Sequence, residues 1–272
     1  MRRGPQRTVD LATESGRPLV VGRRLFGWAV EGIGEVGPGE DLAELCRRAL
    51  VTSGGLEPWD VVVVTHKVVS KAEGRVRSLA SVVPSAAALA VANSVGQDPR
   101  MVEVILQESK RVIRAEPGVL VTETVHGLVC ANSGVDRSNV GGGEEVTCLP
   151  LEPDASARRL RASWLDLAAG GPLGVVITDT FGRPFREGAV NVAIGVAGMP
   201  ALSDHRGLLD ERGYLLHAST IATADEIAGI GELLMGKIDG IPLAVVRGFR
   251  WEGPDLGAAA LQRPSERDIF RR

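Results

Sequence analysis

Aromatic residues are scarce in this 272-residue chain, at 4% with a single tyrosine. A platform that stacks nucleic-acid bases is hard to build from so few rings. Basic excess is missing too: the net charge is −3 and the arginines are scattered rather than gathered, which argues against a polyanion-binding surface. No apolar run approaches the ~20 residues that span a bilayer. The apolar stretch after Arg23-Arg24-Leu25-Phe26 ends at Glu31, too short for an export signal. The three cysteines, Cys46, Cys130 and Cys148, are odd in number and share no ligand spacing. They read as reduced thiols of a cytoplasmic protein, packed as small apolar residues.

Nucleotide signatures are thin as well. No G-x-G-x-x-G opens a helix after a strand, so a Rossmann dinucleotide site is unsupported. The stretch Gly231-Glu232-Leu233-Leu234-Met235-Gly236-Lys237 fits most of a phosphate-loop pattern. Ile238 follows it where a hydroxyl is needed, and its four middle residues are strong helix formers. It reads as a helix end capped by Gly236, with Lys237 beyond.

What is present is a chain with 44% apolar residues, enough for a substantial core. Residues 1–17 are polar and aperiodic and read as a disordered extension, 18–252 as the folded domain and 253–272 as a tail or linker. Strands are expected at 19–21, 25–30, 60–65, 174–178 and 243–246. A hairpin is expected from 119–124 and 128–131, joined through His126-Gly127. Helical periodicity predicts helices over 41–51, 99–114, 154–169 and 220–235. On the helix so read over 99–114, Glu103, Glu108, Lys110 and Arg111 lie on the polar side, solvated or paired across a turn. Strands and helices mix without a βαβ rhythm, so an α+β architecture of mixed sheets with packed helices is expected rather than a doubly wound sheet.

Four polar clusters follow candidate strands or open a helix. In 65–75, two lysines, Arg75 and several hydroxyls suit a charged, oxygen-rich ligand, although a solvated loop has the same composition. In 130–139, Asp136, two carboxamides and Arg137 offer hard oxygen ligands for Mg²⁺ or Mn²⁺; turn chemistry also accounts for them. In 177–188, Asp179 and Thr180 precede Arg183 and Arg186: carboxylate and hydroxyl for a cation, guanidinium groups for phosphate or carboxylate. In 220–226, Asp225 and Glu226 suit the first turn of a helix capped by Thr220 or Thr223. His126, His205 and His217 share no ligand spacing. Two acids at separate strand ends and two basic loops are the equipment of phosphoryl transfer, with no substrate specified.

Five stretches resemble the coenzyme F-420-0 gamma-glutamyl ligase family: 60–75 (DVVVVTHKVVSKAEGR), 108–114 (ESKRVIR), 127–140 (GLVCANSGVDRSNV), 177–195 (ITDTFGRPFREGAVNVAIG) and 222–240 (ATADEIAGIGELLMGKIDG). The resemblance covers about residues 25–250. It implies a GTP-dependent ligase: a deazaflavin carboxylate becomes an acyl phosphate, the amine of L-glutamate displaces phosphate, and later rounds extend a γ-linked chain. It further implies that Asp136, Asp179 and Thr180 bind metal, Mg²⁺ or Mn²⁺, with Glu226 as an additional ligand. Ile33, Gly34, Glu35, Val36, His66, Lys71, Asn139 and Asp225 are implied at the nucleotide. A monovalent cation is a further implied cofactor. Arg183 and Arg186 are assigned to phosphate or substrate carboxylate in catalysis, on charge alone. The implied fold is a family-specific ligase arrangement, with two subdomains and an intertwined homodimer.

Two positions depart from the family pattern. His66 stands where serine is usual, and Ala189 where many relatives carry glutamine. The tail 263–272 (RPSERDIFRR) resembles the junction that, in actinobacterial relatives, leads to a flavin-binding nitroreductase-like domain; a stand-alone ligase and a piece of the fusion are both open. The alternatives are an amide ligase for another carboxylate, and a nucleotide-binding regulatory protein without turnover.

Overall fold

The valine run that opens at Asp60 becomes the axis of the fold. The computed structural model describes residues 24–137 and 144–268; the expected extension 1–17, the strand at 19–21 and Asn139 lie outside them. Strand β2 (Asp60–Thr65) is the middle of a five-stranded sheet ordered β1 (Phe26–Val30), β12 (Leu243–Arg247), β2, β8 (Leu173–Phe181), β9 (Val190–Ala197). It runs parallel to β8 and antiparallel to β12. With Val61–Val64 fully buried on both faces, the strand shows no apolar–polar alternation, as expected of a strand covered on two sides.

One face carries α1 (Leu42–Thr52), α2 (His66–Ala72) and α5 (Pro153–Trp164), which bring Cys46, Leu50, Val69, Leu160 and Trp164 onto Val62, Val64, Val175 and Ile177. The other face carries α6 (Thr223–Met235), whose Ala224, Ile227, Ala228 and Met235 pack on Val61, Val63, Val176 and Val246. Gly231 sets how closely α6 approaches: a Cβ there would meet Val63 Cγ1 at 2.5 Å. A third cluster, around Leu79, Val102, Ile105, Leu120 and Val146, joins α3 (Ala86–Val95) and α4 (Pro99–Gln107) to the sheet of β4 (Ser109–Glu116), β5 (Val119–Thr124) and β6 (Val129–Ala131) and to the pair β3 (Val76–Ser78) and β7 (Glu145–Thr147). A short pair, β10 (Ser203–Asp204) and β11 (Thr220–Ile221), closes an arm over 203–221. The architecture is α+β, with six helices and four sheets among the described residues.

Several expectations need correction. The helix expected over 99–114 stops at Gln107, and 109–116 is strand β4. The helical period ran through Ser109, but the β-branched pair Val112-Ile113 is recruited into pairing with β5. Glu108 is accordingly not a solvated helix residue: it is buried and paired with Arg75 at 2.7 Å, while Arg75 Nε donates to Leu149 O. Lys110 and Arg111 belong to β4, and Arg111 pairs across to Glu123 on β5. The last expected helix begins at Thr223, since Thr220 is in β11; Ala222 is its N-cap and makes no side-chain capping bond. Thr223 Oγ1 instead meets Ser203 Oγ at 2.7 Å, tying the helix to the arm. The helix expected over 154–169 ends at Trp164. Segment 66–72 is a helix rather than a loop, and α3 and β9 were not anticipated. The expected helix end at Gly236 is found, with φ +67°. All three cysteines are buried and free, and burial pushes each thiol up to about 12. Among the described residues no helix is long and apolar enough to cross a membrane.

Candidate active site

Because β2 and β8 are parallel, their carboxyl ends open at the same edge of the sheet, a recurrent place for ligands. Here that edge borders a cavity of about 610 Å³. Its walls come from six segments. After β1, Gly34, Glu35 and Val36 contribute, and after β2, Thr65, His66, Lys67 and Lys71. Asp136 comes from the turn after β6, and Thr178, Asp179 and Thr180 from β8, faced by Asn191 of β9. Glu232, Met235, Gly236 and Lys237 close it from α6.

Strand parity distributes the β8 side chains. Asp179 shares a face with Ile177 and Phe181, the face that carries α2, so it meets His66. Thr178 and Thr180 share the opposite face with Val176, on the side of α6. A register shift after Ile177 then pairs Thr180 with Asn191. Thr180 Oγ1 donates to Asn191 Oδ1 at 2.8 Å and accepts from Lys237 Nζ at 3.2 Å. Asn191 Nδ2 donates to Thr178 Oγ1 at 3.1 Å, and its backbone N–H donates to Glu232 Oε2 at 2.9 Å. The site therefore wraps around the end of the sheet and uses both faces.

On the α2 side the charges come in opposed pairs. Lys67 Nζ lies 2.6 Å from Asp136 Oδ2, and Lys71 pairs with Glu35. Asp136 is fixed by a two-way backbone bridge with Thr147, N–H to O and O from N–H at 3.0 and 2.8 Å. His66 is 2% exposed, and its Nδ1 lies 3.4 Å from Ser70 Oγ. Its Nε2 stands 3.2 Å from Asp179 Oδ1, yet the direction is wrong for a hydrogen bond and Nε2 has no such partner.

The cavity thus unites Gly34, Glu35, Val36, His66, Lys71, Asp136, Asp179 and Thr180 among the sequence-derived candidates. Ile33 lies just behind it in the core. Asp225 and Glu226 are not among its walls: Asp225 Oδ1 accepts from Ala193 N at 2.8 Å and burial raises its pKa, while Glu226 is exposed. Arg183 and Arg186 sit on the loop that continues β8, outside the walls. Arg183 donates to Gly188 O and Glu187 O, and so shapes that loop. Among the described residues no group of three or more His, Cys, Asp and Glu side chains stands at metal-binding spacing. Any cation held here would also draw on hydroxyl or carboxamide oxygen, which Thr180 and Asn191 supply.

Sequence reasoning passed over Lys237, Asn191 and Glu232. Lys237 was set aside because Gly236 ends the helix, yet that end projects the lysine over the sheet edge toward Thr180. Asn191 had a signal, as the one carboxamide in an apolar stretch that follows the Arg-rich loop.

Known proteins match most of this chain. Residues 32–248 match the family model described as F420-0:Gamma-glutamyl ligase. A coenzyme F420:L-glutamate ligase of Methanothermobacter thermautotrophicus is 46% identical over 246 residues, covering 89% of this chain and 97% of the relative. One from Methanopyrus kandleri is 47% identical over 243 residues, 87% and 94% of the two chains. One from Archaeoglobus fulgidus is 42% identical over 244 residues, 89% and 95%.

Proposed function

The chain belongs to the F420-0:gamma-glutamyl ligase family, and from that membership we propose that it joins L-glutamate to the carboxylate of the deazaflavin coenzyme F420-0 at the expense of GTP. The observation that carries this reading is the cavity at the carboxyl ends of β2 and β8, where three lysines face two aspartates and a threonine. Lysines on opposite walls suit a polyphosphate, and carboxylate with hydroxyl oxygen suits Mg²⁺ or Mn²⁺.

In the first step a carboxylate oxygen of the acceptor attacks the γ-phosphorus of GTP. The bond to the bridging oxygen breaks, leaving GDP and an acyl phosphate. In the second, the α-amine of glutamate attacks the acyl carbon, phosphate leaves with the bonding pair, and the amine gives up a proton. Asp136, Asp179 and Thr180 would hold the divalent cation, which supplies neutralisation of phosphate charge. Lys67 and Lys71 are kept in place by Asp136 and Glu35 until phosphate oxygens replace those partners. Lys237, anchored on Thr180, approaches from the α6 side and places a third positive charge on the polyphosphate. Arg183 and Arg186, on the loop beyond β8, meet the carboxylates of glutamate or acceptor.

The family's homodimer is proposed here through the 203–221 arm, which exposes Leu208, Leu209, Tyr214 and Leu215. Light scattering should give twice the chain mass, and a chain-mass species at micromolar concentration would remove the proposal.

The test of function is mass spectrometry of F420-0 incubated with the protein, GTP, glutamate and Mn²⁺ or Mg²⁺. Added glutamyl mass steps, with phosphate released only when acceptor and glutamate are both present, are expected. GTP bound without turnover would point instead to a regulatory protein, and turnover with other carboxylates alone to a different acceptor.

A further inference from the structure

We infer that His66 is a nitrogen ligand of the divalent cation, so that this chain builds a mixed imidazole–carboxylate site with Asp179 and selects Mn²⁺ over Mg²⁺. The inference rests on the cation role proposed above and narrows it to one ion class.

Three observations carry it. First, His66 is 2% exposed and lines the cavity, yet its Nε2 has no hydrogen-bond partner. A sealed ring nitrogen without a partner is costly to bury, which calls for something that satisfies it. Second, Asp179 Oδ1 is 3.2 Å from that nitrogen but off the direction of a ring hydrogen bond. Two ligands about 2.1 Å from one ion at a right angle lie roughly 3 Å apart, so the spacing matches adjacent corners of an octahedral site. Close approach without a hydrogen bond is the relation that two ligands of one ion have to each other. Third, the other ring nitrogen already has company: Nδ1 lies 3.4 Å from Ser70 Oγ, which fixes the ring from behind and leaves Nε2 facing Asp179.

The fold explains why the pair is held so firmly. His66 is the first residue of α2, directly after β2, and Asp179 occupies the neighbouring parallel strand one residue beyond the Thr65–Thr178 pair. Strand register thus sets the distance between them. A cation bound to the nitrogen would stand within reach of Asp179 as well. Asp136, which lines the same cavity, can add a further oxygen ligand. Imidazole among oxygen ligands favours transition metals, whereas Mg²⁺ prefers oxygen alone.

The experiment is pulsed EPR of the Mn²⁺ complex of the full chain with a non-hydrolysable GTP analogue. The protein is made once with natural and once with ¹⁵N-labelled histidine, so that guanine nitrogen is not mistaken for the ring. The expected result is a nitrogen modulation that changes with the histidine label and vanishes in His66→Ser. The preference for Mn²⁺ over Mg²⁺, measured by competition titration, should fall about 10- to 100-fold in the same variant. Mn²⁺ bound to the natural protein without a histidine-dependent signal overturns the inference and leaves the cation role intact. No Mn²⁺ bound at all overturns both. The labelled natural protein alone decides whether a histidine ligates the ion, and His66 is the histidine among the cavity walls, so the test stands even if His66→Ser fails to fold.

Discussion

The two ends of the five-stranded sheet are built from similar residues and put to opposite uses. At the amino end of β2, Asp60 is fully buried and every charge around it is matched. Arg247 Nε and Nη2 donate to its two oxygens at 2.8 and 2.7 Å, Arg247 Nη1 reaches Glu57, and the guanidinium lies 4.9 Å from the Trp28 ring centre. The backbone N–H of Glu57 completes the set on Asp60 Oδ2. At the carboxyl end, directly after the same strand, His66 Nε2 meets Asp179 without a hydrogen bond, and the lysines lean on acids beside an open cavity. A closed set of charges holds strands together. An unfinished set waits for a ligand.

Variants at the two ends should separate stability from activity. The largest effect is expected from Asp179→Asn, which should lower the ligation rate roughly 10³-fold, about 4 kcal/mol of barrier, with an unchanged melting temperature. Steady-state kinetics with calorimetry checks it, and near-normal turnover would dissolve the contrast between the ends. Next, Asp60→Ala should cost about 2–3 kcal/mol of stability in urea unfolding, less than a sealed pair because Arg247 keeps one side in solvent. The folded fraction should keep its kcat within about twofold. Gly231→Ala should follow at about 1–2 kcal/mol, since its methyl group would press on Val63 and lift α6 from the sheet. That shift carries Lys237 with it, so KM for GTP should rise while the amino end is untouched. The smallest effect is expected from Arg111→Ala, whose side chain is 54% exposed and whose partner Glu123 is 15% exposed; urea unfolding should register under ~1 kcal/mol.

How far the sequence disclosed this arrangement differs by element. Strand β2 was legible because four consecutive valines have few other uses. Its neighbour α2 was not, because His66-Lys67-Val68-Val69-Ser70-Lys71-Ala72 has no side-chain cap and carries two β-branched residues. The helix is held by burial of Val68 and Val69 against the sheet, a tertiary cause. Periodicity misplaced 109–116 for the same kind of reason, since pairing with β5 outweighs a helical pattern continued from α4. Of the site, Asp136 and Asp179 were visible as acids after strands. That they face one cavity follows from the parallel pairing of β2 and β8 and from the bridge of Asp136 to Thr147, neither of which a local pattern encodes. Lys237 was hidden behind a correct inference about Gly236, because a helix stop says nothing of where the next side chain points.

The shift in pairing between β8 and β9 fixes more than a local kink. Ile177 faces Gly195 and Thr178 faces Ala193, so Ile194 is one residue too many on its strand. Were the strands paired without that shift, with Ile194 taking Thr178 as its partner, every later partner would move by one: Val192 would stand opposite Thr180, and Asn191 opposite Phe181. The threonine hydroxyl would then face a valine, and the contacts of Asn191 with Thr178 and Glu232 would fall out of step. The unpaired position at Ile194 thus acts as a counting device: a pairing that drew it into the ladder would dismantle the α6 side of the site without changing any residue in it.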